Sequence, residues 1–259
     1  MSSGPAINIK PTVSAEMEAR EESTVSDVAW LAGMLQLGDT FYPTGAYAHS
    51  YGLEGMVEAG AVCNRDDLRT FLSGSALPTL RQMELPLVVH AWRALGGAEN
   101  AQPDWGAVGD LCVLASALKT AKEARFAAEN IGRQRVELAA KLRGHPLAVE
   151  FVRRAEAEGW PYSPSIAAAL ETQVLGAPLD AALASVFYAN IAGLLAAAMK
   201  LLRLGQNGCQ TLLTEMMTRV NEIVREAKRV PREEIGWFNP WLDIAAARHE
   251  RAAARLFIS

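Results

Sequence analysis

Residue types able to do chemistry are concentrated in one stretch, Phe41–Gly55, which reads Phe-Tyr-Pro-Thr-Gly-Ala-Tyr-Ala-His-Ser-Tyr-Gly-Leu-Glu-Gly. An imidazole (His49), a carboxylate (Glu54) and the phenols of Tyr42, Tyr47 and Tyr51 offer directed hydrogen bonding, proton handling or transient metal contact. Pro43 fixes its own φ and pushes Tyr42 toward extended backbone. Gly45 and Gly52 permit positive φ or the close approach of another segment. This much backbone punctuation among polar aromatics predicts a rigid, shaped feature rather than core filler.

Elsewhere the sequence carries no enzyme signature. It has no Gly-rich loop ending in Lys-Ser or Lys-Thr, no dinucleotide fingerprint and no Gly-x-Ser-x-Gly elbow. Gly205-Gln206-Asn207-Gly208-Cys209 lacks the lysine of a phosphate loop and is expected to be a helix–helix turn, with Gly205 in the left-handed position. The histidines are His49, His90, His145 and His249, and none has a histidine partner four residues away. With no Cys-x-x-Cys either, a preformed structural zinc site is not expected. His90 reads as a satisfied core group and His145 as a solvated turn residue. His49 reads as a turn-fixing hydrogen-bonding group, with a metal role as the alternative. His249-Glu250 is an adjacent acid–base pair, but neighbouring helical residues point about 100° apart.

The other unusual feature is the chain end, Arg255-Leu256-Phe257-Ile258-Ser259. Termini are ordinarily polar and frayed, so this apolar run either folds back on its own core or docks on another protein.

The rest must position these two features. Half of the 259 residues are hydrophobic and the formal charge is −4. That supports a large core and supplies no global basic field for nucleic acid or anionic lipid. Three scattered cysteines (Cys63, Cys112, Cys209) argue for a reducing compartment and against a disulfide framework. With no signal-peptide pattern, and an apolar run at Ile191–Met199 too short to span a bilayer, the expectation is a cytoplasmic protein without membrane contact.

Residues 1–24 read as a flexible tail and 25–259 as one all-α domain, a bundle of roughly ten helices. Helices are expected from about Val25 to Gly38 and from His49 or Ser50 to Gly60. Asn64 caps the next, and Pro78 and Pro86 punctuate the apolar stretch that follows. Further helices open at Pro103-Asp104, Lys122, Leu147, Ser165 (as a cap), Leu179 and Asn207 or Gln210, with a last one from Trp241. Leu179–Leu204 is the expected central, buried helix. Glu129/Arg133 and Glu137/Lys141 are expected as solvated i, i+4 pairs.

Three motifs in order resemble the UreF family of urease accessory proteins. They are Pro43-Thr44-Gly45-Ala46-Tyr47-Ala48-His49-Ser50-Tyr51-Gly52-Leu53-Glu54, Leu204-Gly205-Gln206-Asn207-Gly208-Cys209-Gln210, and Asp243-Ile244-Ala245 with Arg248-His249-Glu250 and Arg255–Ser259. The resemblance spans about Val25 to the last residue. It implies an all-α, non-catalytic homodimer that binds a UreD-type protein (also called UreH) and recruits the GTPase UreG. The assembly would deliver nickel to apo-urease with GTP hydrolysis, holding no stable cofactor. It implies that Tyr47 and Arg255 order the partner surface; an arginine immediately before an apolar run also reads, from its directed hydrogen bonding, as an internal organiser. The partner-binding set is then Tyr42, Pro43, Tyr47, His49, Tyr51, Glu54, Arg255, Leu256, Phe257 and Ile258. His49 or Glu54 could line a nickel route. The rivals are a generic helical interaction scaffold and an all-α enzyme using His249/Glu250.

Overall fold

Among the described residues, apolar residues recurring at helical spacing, punctuated by capping residues and glycines, fold into eleven α-helices, and no strand occurs. The structure is a computed structural model that describes residues 28–45, 49–97, 101–249 and 256–257. The expected N-terminal tail, Tyr47, Glu250, Arg255, Ile258 and the side chain of His249 lie outside the described residues.

Helix α1 spans Ala29–Gly38 and α2 spans Leu53–Glu58. α3 is an unbroken run built from Arg65–Phe71, a π-helical turn at Leu72–Ala76, Leu77–Thr79, a second π-helical turn at Leu80–Glu84, and Leu85–Ala94. Then come α4 (Trp105–Ala117), α5 (Lys122–Arg143), α6 (Pro146–Glu158) and α7 (Pro164–Leu175). α8 (Leu179–Leu201), α9 (Gln206–Met217), α10 (Val220–Ala227) and α11 (Pro240–His249) complete the set.

Several starts and stops follow from local chemistry. Asn64 Oδ1 accepts the N–H groups of Asp66 (2.9 Å) and Asp67 (3.0 Å), and Asp104 Oδ1 accepts that of Ala107 (3.0 Å). His145 is part-buried rather than solvated, and its Nδ1 accepts the Leu147 N–H at the start of α6.

Other expectations are corrected. Pro78 and Pro86 do not interrupt α3. A π-helical turn lies just upstream of each, and the wider turn accommodates a ring that would otherwise meet the carbonyl four residues back. Pro86 has no N–H for the Gln82 carbonyl, which accepts the Gly236 N–H at 2.9 Å instead. Ser165 does not cap α7. Ser163 holds the cap position, while Ser165 is buried and donates its hydroxyl to Glu84 Oε2 at 2.5 Å. In the turn after α8 the left-handed residue is Arg203 (φ 52°), and Gly205 is extended.

The most enclosed helix is α7, in which every residue from Ser165 to Thr172 is buried. α7 packs on α1, α3, α5, α6 and α8. Complete burial of Ile166 and Leu170 contributes about 1.5–3 kcal/mol for each side chain. α8, the expected centre, has the length and apolarity of a membrane span. Half of that span is buried against α1, α2, α3, α7, α9 and α10, so its apolar face serves the core.

The expected i, i+4 pairs on α5 give way to contacts between elements. Glu129 accepts the Ser116 hydroxyl at 2.6 Å, and the Arg133 guanidinium lies over the Tyr162 ring at 4.9 Å.

Candidate functional site

The Phe41–Gly55 stretch is shaped by two consecutive left-handed residues, Tyr51 (φ 52°) and Gly52 (φ 82°). A non-glycine residue in that region is uncommon. The pair delays the start of α2 to Leu53, four residues after the earliest expected start at His49. Gly52 answers a second demand as well. A Cβ there would lie 2.6 Å from Leu242 Cδ1, and one on Gly55 would lie 2.6 Å from the Ala245 carbonyl oxygen. These two glycines let α11 rest directly on α2.

The other face of α2 holds the chain end. Glu54, only 4% exposed, accepts the Leu256 N–H on Oε1 (2.8 Å) and the Phe257 N–H on Oε2 (3.0 Å). The Glu54 N–H in turn donates to Ser50 Oγ at 3.4 Å, and Ser50 is fully buried. Phe257 packs into the core at 6% exposure, with Lys200 Nζ 5.2 Å from its ring centroid, whereas Leu256 remains 71% exposed. The two readings of the chain end therefore apply to different residues: Phe257 folds back and Leu256 faces outward.

Tyr42, Pro43, His49 and Tyr51 line a cavity of about 590 Å³. Its other walls come from α3 (Phe71, Leu80, Met83, Glu84), α5 (Ala124, Ile131, Arg135), α8 (Val186, Tyr188, Gly193) and the segment carrying Trp237 and Leu242. Glu54 is not among the lining residues. Of the two residues expected along a nickel route, His49 lines the cavity and Glu54 holds the tail.

Two part-buried ion pairs brace these walls, and of their four side chains Glu171 is the one fully withdrawn. Arg135 donates through Nε and Nη2 to Glu171 Oε2, joining α5 to α7. Lys119 pairs with Glu84, which also accepts from Ser165. Burial pushes the Glu84 carboxyl up, but the Lys119 charge and the hydrogen bonds from Lys119 and Ser165 outweigh it and hold it below the usual carboxylate range. Glu171 goes the other way. Burial raises it and Arg135 only partly opposes, while its Oε1 has no hydrogen-bond partner.

Tyr51 lines the cavity and is 40% exposed, yet its phenol is pushed up to about 12, first by desolvation and then by Glu84, against Arg135. Tyr42 is raised by burial and then by Glu171, against Arg135 and Arg143. Both phenols stay protonated at neutral pH, and both cations are neutralised. This wall is organised to hold shape and offer hydrogen bonds. Among the described residues, no three His, Cys, Asp or Glu side chains converge on a metal-holding arrangement.

The sequence reading missed Glu84, Lys119, Arg135 and Glu171 as a set. A signal was present: Glu84 and Glu171 are lone carboxylates inside apolar helical sequence (Met83-Glu84-Leu85, Leu170-Glu171-Thr172), where an unpaired charge is costly. The aromatic surface was missed too. Phe41, Phe238 and Trp241 are largely exposed, with Trp237 and Ile244 partly so, and all but Phe41 fall on or just before α11.

Fold and site together define an all-α protein whose distinctive face is an apolar surface gathered around α2. The chain belongs to the UreF family, whose family model, described as UreF, matches residues 62–217. It is similar to proteins named urease accessory protein UreF from three bacteria. Identity to the protein of Azoarcus sp. (strain BH72) is 31% over 229 residues, 88% of this chain and 95% of that protein. For Arthrobacter sp. (strain FB24) it is 28% over 224 residues, 86% and 95%. For Bacillus sp. (strain TB-90) it is 26% over 229 residues, 88% and 99%.

Proposed function

We propose that this chain serves urease maturation as a non-catalytic bridging protein, binding a UreD/UreH-type protein through the α2 face and bringing in a UreG-type GTPase. The assembly then inserts nickel, its cargo, into apo-urease with GTP hydrolysis. One observation carries the reading: the Phe41–Gly55 stretch and the chain end, far apart in sequence, are joined through Glu54 into one surface. Leu256, Trp241 and Ile244 leave that region apolar and open, the composition of a protein-docking site. Family membership and relatives named as urease accessory proteins support the biological setting.

The working unit in this reading is a homodimer of a cytoplasmic protein, and nickel contacts the chain only in transit. In this reading His49, which lines the cavity, touches a metal moving through it. The test is co-purification of tagged chain with the UreD-type and UreG-type proteins, followed by urease activation with nickel and GTP. The intact chain is expected to retain both partners and support activation, and a chain ending at Arg255 to lose the UreD-type protein. Full partner retention by the truncated chain would remove the α2 face from the proposal. Light scattering of the free chain reads the dimer.

A further inference from the structure

We infer that Glu54 is the positioning residue of the docking tail: its carboxylate fixes the backbone of Leu256 and Phe257 so that Leu256 is presented outward to an apolar pocket on a protein partner. This deepens the reading above and rests on it for the partner, but the latch itself is a property of the isolated chain. Glu54 gives one oxygen to each of two successive backbone N–H groups, at 2.8 and 3.0 Å. Successive N–H groups converging on one anion form a small nest, and such a turn sends neighbouring side chains in different directions. That is what is seen: Phe257 goes inward toward Lys200, and Leu256 goes outward.

The base of the latch is firm. α2 is backed by α11 at the Gly55–Ala245 approach and tied at its start by Ser50 Oγ. The carboxylate is thus placed before the tail arrives. With the N–H groups of Leu256 and Phe257 already held by Glu54, the ordering cost of binding at these two residues is lower.

The arrangement also selects the mode of recognition. With both N–H groups taken by Glu54, Leu256 and Phe257 have no donors left for adding a strand to a partner sheet. The contact is made through side chains, with Leu256 as the anchor.

The experiment uses purified full-length chain. Amide hydrogen exchange is read at Leu256 and Phe257, and affinity for the immobilised UreD-type protein is measured alongside. Glu54→Gln keeps the size but turns an N–H donor toward one of the tail N–H groups. Exchange at both tail amides is expected to rise by about tenfold or more, with α7 amides unchanged. Affinity is expected to fall about tenfold although every tail residue is present. Glu54→Asp, shorter by one methylene, keeps the charge and is expected to protect only one of the two amides, which gives a second reading should the Gln variant fold poorly. Unchanged tail exchange in a folded Glu54→Gln chain overturns the latch. Faster exchange with unchanged affinity overturns its link to docking. A chain ending at Arg255 that binds the partner normally sinks the docking reading itself while leaving the latch standing.

Discussion

In the helical interior, Glu171 and Glu84 face Arg135 and Lys119, cations carried by or adjoining helices that cannot move without opening the core. On the α2 face, Glu54 faces two backbone N–H groups of a chain end. All three carboxylates are withdrawn from water, but the consequences differ. Breaking an interior pair leaves a buried charge while the surrounding helices stay packed, so the loss falls on the whole fold. Losing the contacts of Leu256 and Phe257 is expected to return Glu54 to water without unfolding α7. The interior pairs therefore set shape, and the α2 carboxylate holds Leu256 and Phe257 in place.

The largest expected effect tests the interior side. Arg135→Ala strands Glu171, which is 2% exposed, and is expected to lower unfolding free energy by about 3–4 kcal/mol in urea denaturation. Replacing both partners, Arg135→Met with Glu171→Leu, is expected to cost about 1 kcal/mol or less. Equal losses from the single and double variants would show that packing, not stranded charge, dominates.

Glycine substitutions divide the two regions next. A Cβ on Gly132 would lie 2.5–2.8 Å from the Ser163 backbone, between α5 and the start of α7. Gly132→Ala is expected to cost about 2 kcal/mol even after the gain in helix propensity. Gly55→Ala pushes against the Ala245 carbonyl and is expected to cost about 1 kcal/mol globally. It should nonetheless speed hydrogen exchange in α11 and the tail more than Gly132→Ala does.

Acid separates the two interior carboxylates. Glu84 lies below its ordinary value, so its contribution is present above that value and disappears as pH falls through the lowered one. Glu171 lies above its ordinary value, so its contribution is present below that value and is lost as pH rises through the raised one. Between pH 7 and about 4, Glu84→Gln is expected to lose less stability than the parent and Glu171→Gln to lose more. Slopes of the same sign would merge the two pairs into one class. The smallest effect is alkaline: Tyr51 stabilises below pH 10 and loses that contribution as pH rises toward 12. Circular dichroism is expected to show a shallower alkaline decline for Tyr51→Phe in that window.

What was readable in advance depended on how far a residue's partner lies along the chain. Asn64 and Asp104 act on N–H groups two or three residues away, and both caps were legible. Gly144, Gly159 and Gly176 close α5, α6 and α7 in left-handed geometry for the same local reason. Ser165 has the composition of a cap, but its partner Glu84 lies 81 residues away. Pro86 reads as a break because the donor that relieves it, Gly236, belongs to a distant loop. At the site, the sequence marked Tyr51, Gly52, Glu54 and the apolar tail as unusual. It gave no sign that Glu54 turns from the cavity and takes hold of the chain end.

By itself the sequence determined an all-α chain, most of its helix boundaries and a shaped Tyr-Gly turn, because periodicity, capping and proline and glycine dihedrals act over a few residues. Only the tertiary structure decided that α7 rather than α8 is the enclosed helix, that Arg135 and Lys119 are part-buried partners of interior carboxylates, and that Glu54 holds Leu256 and Phe257. Each of these depends on which distant group fills a space or answers a buried charge, and that is settled when the helices pack.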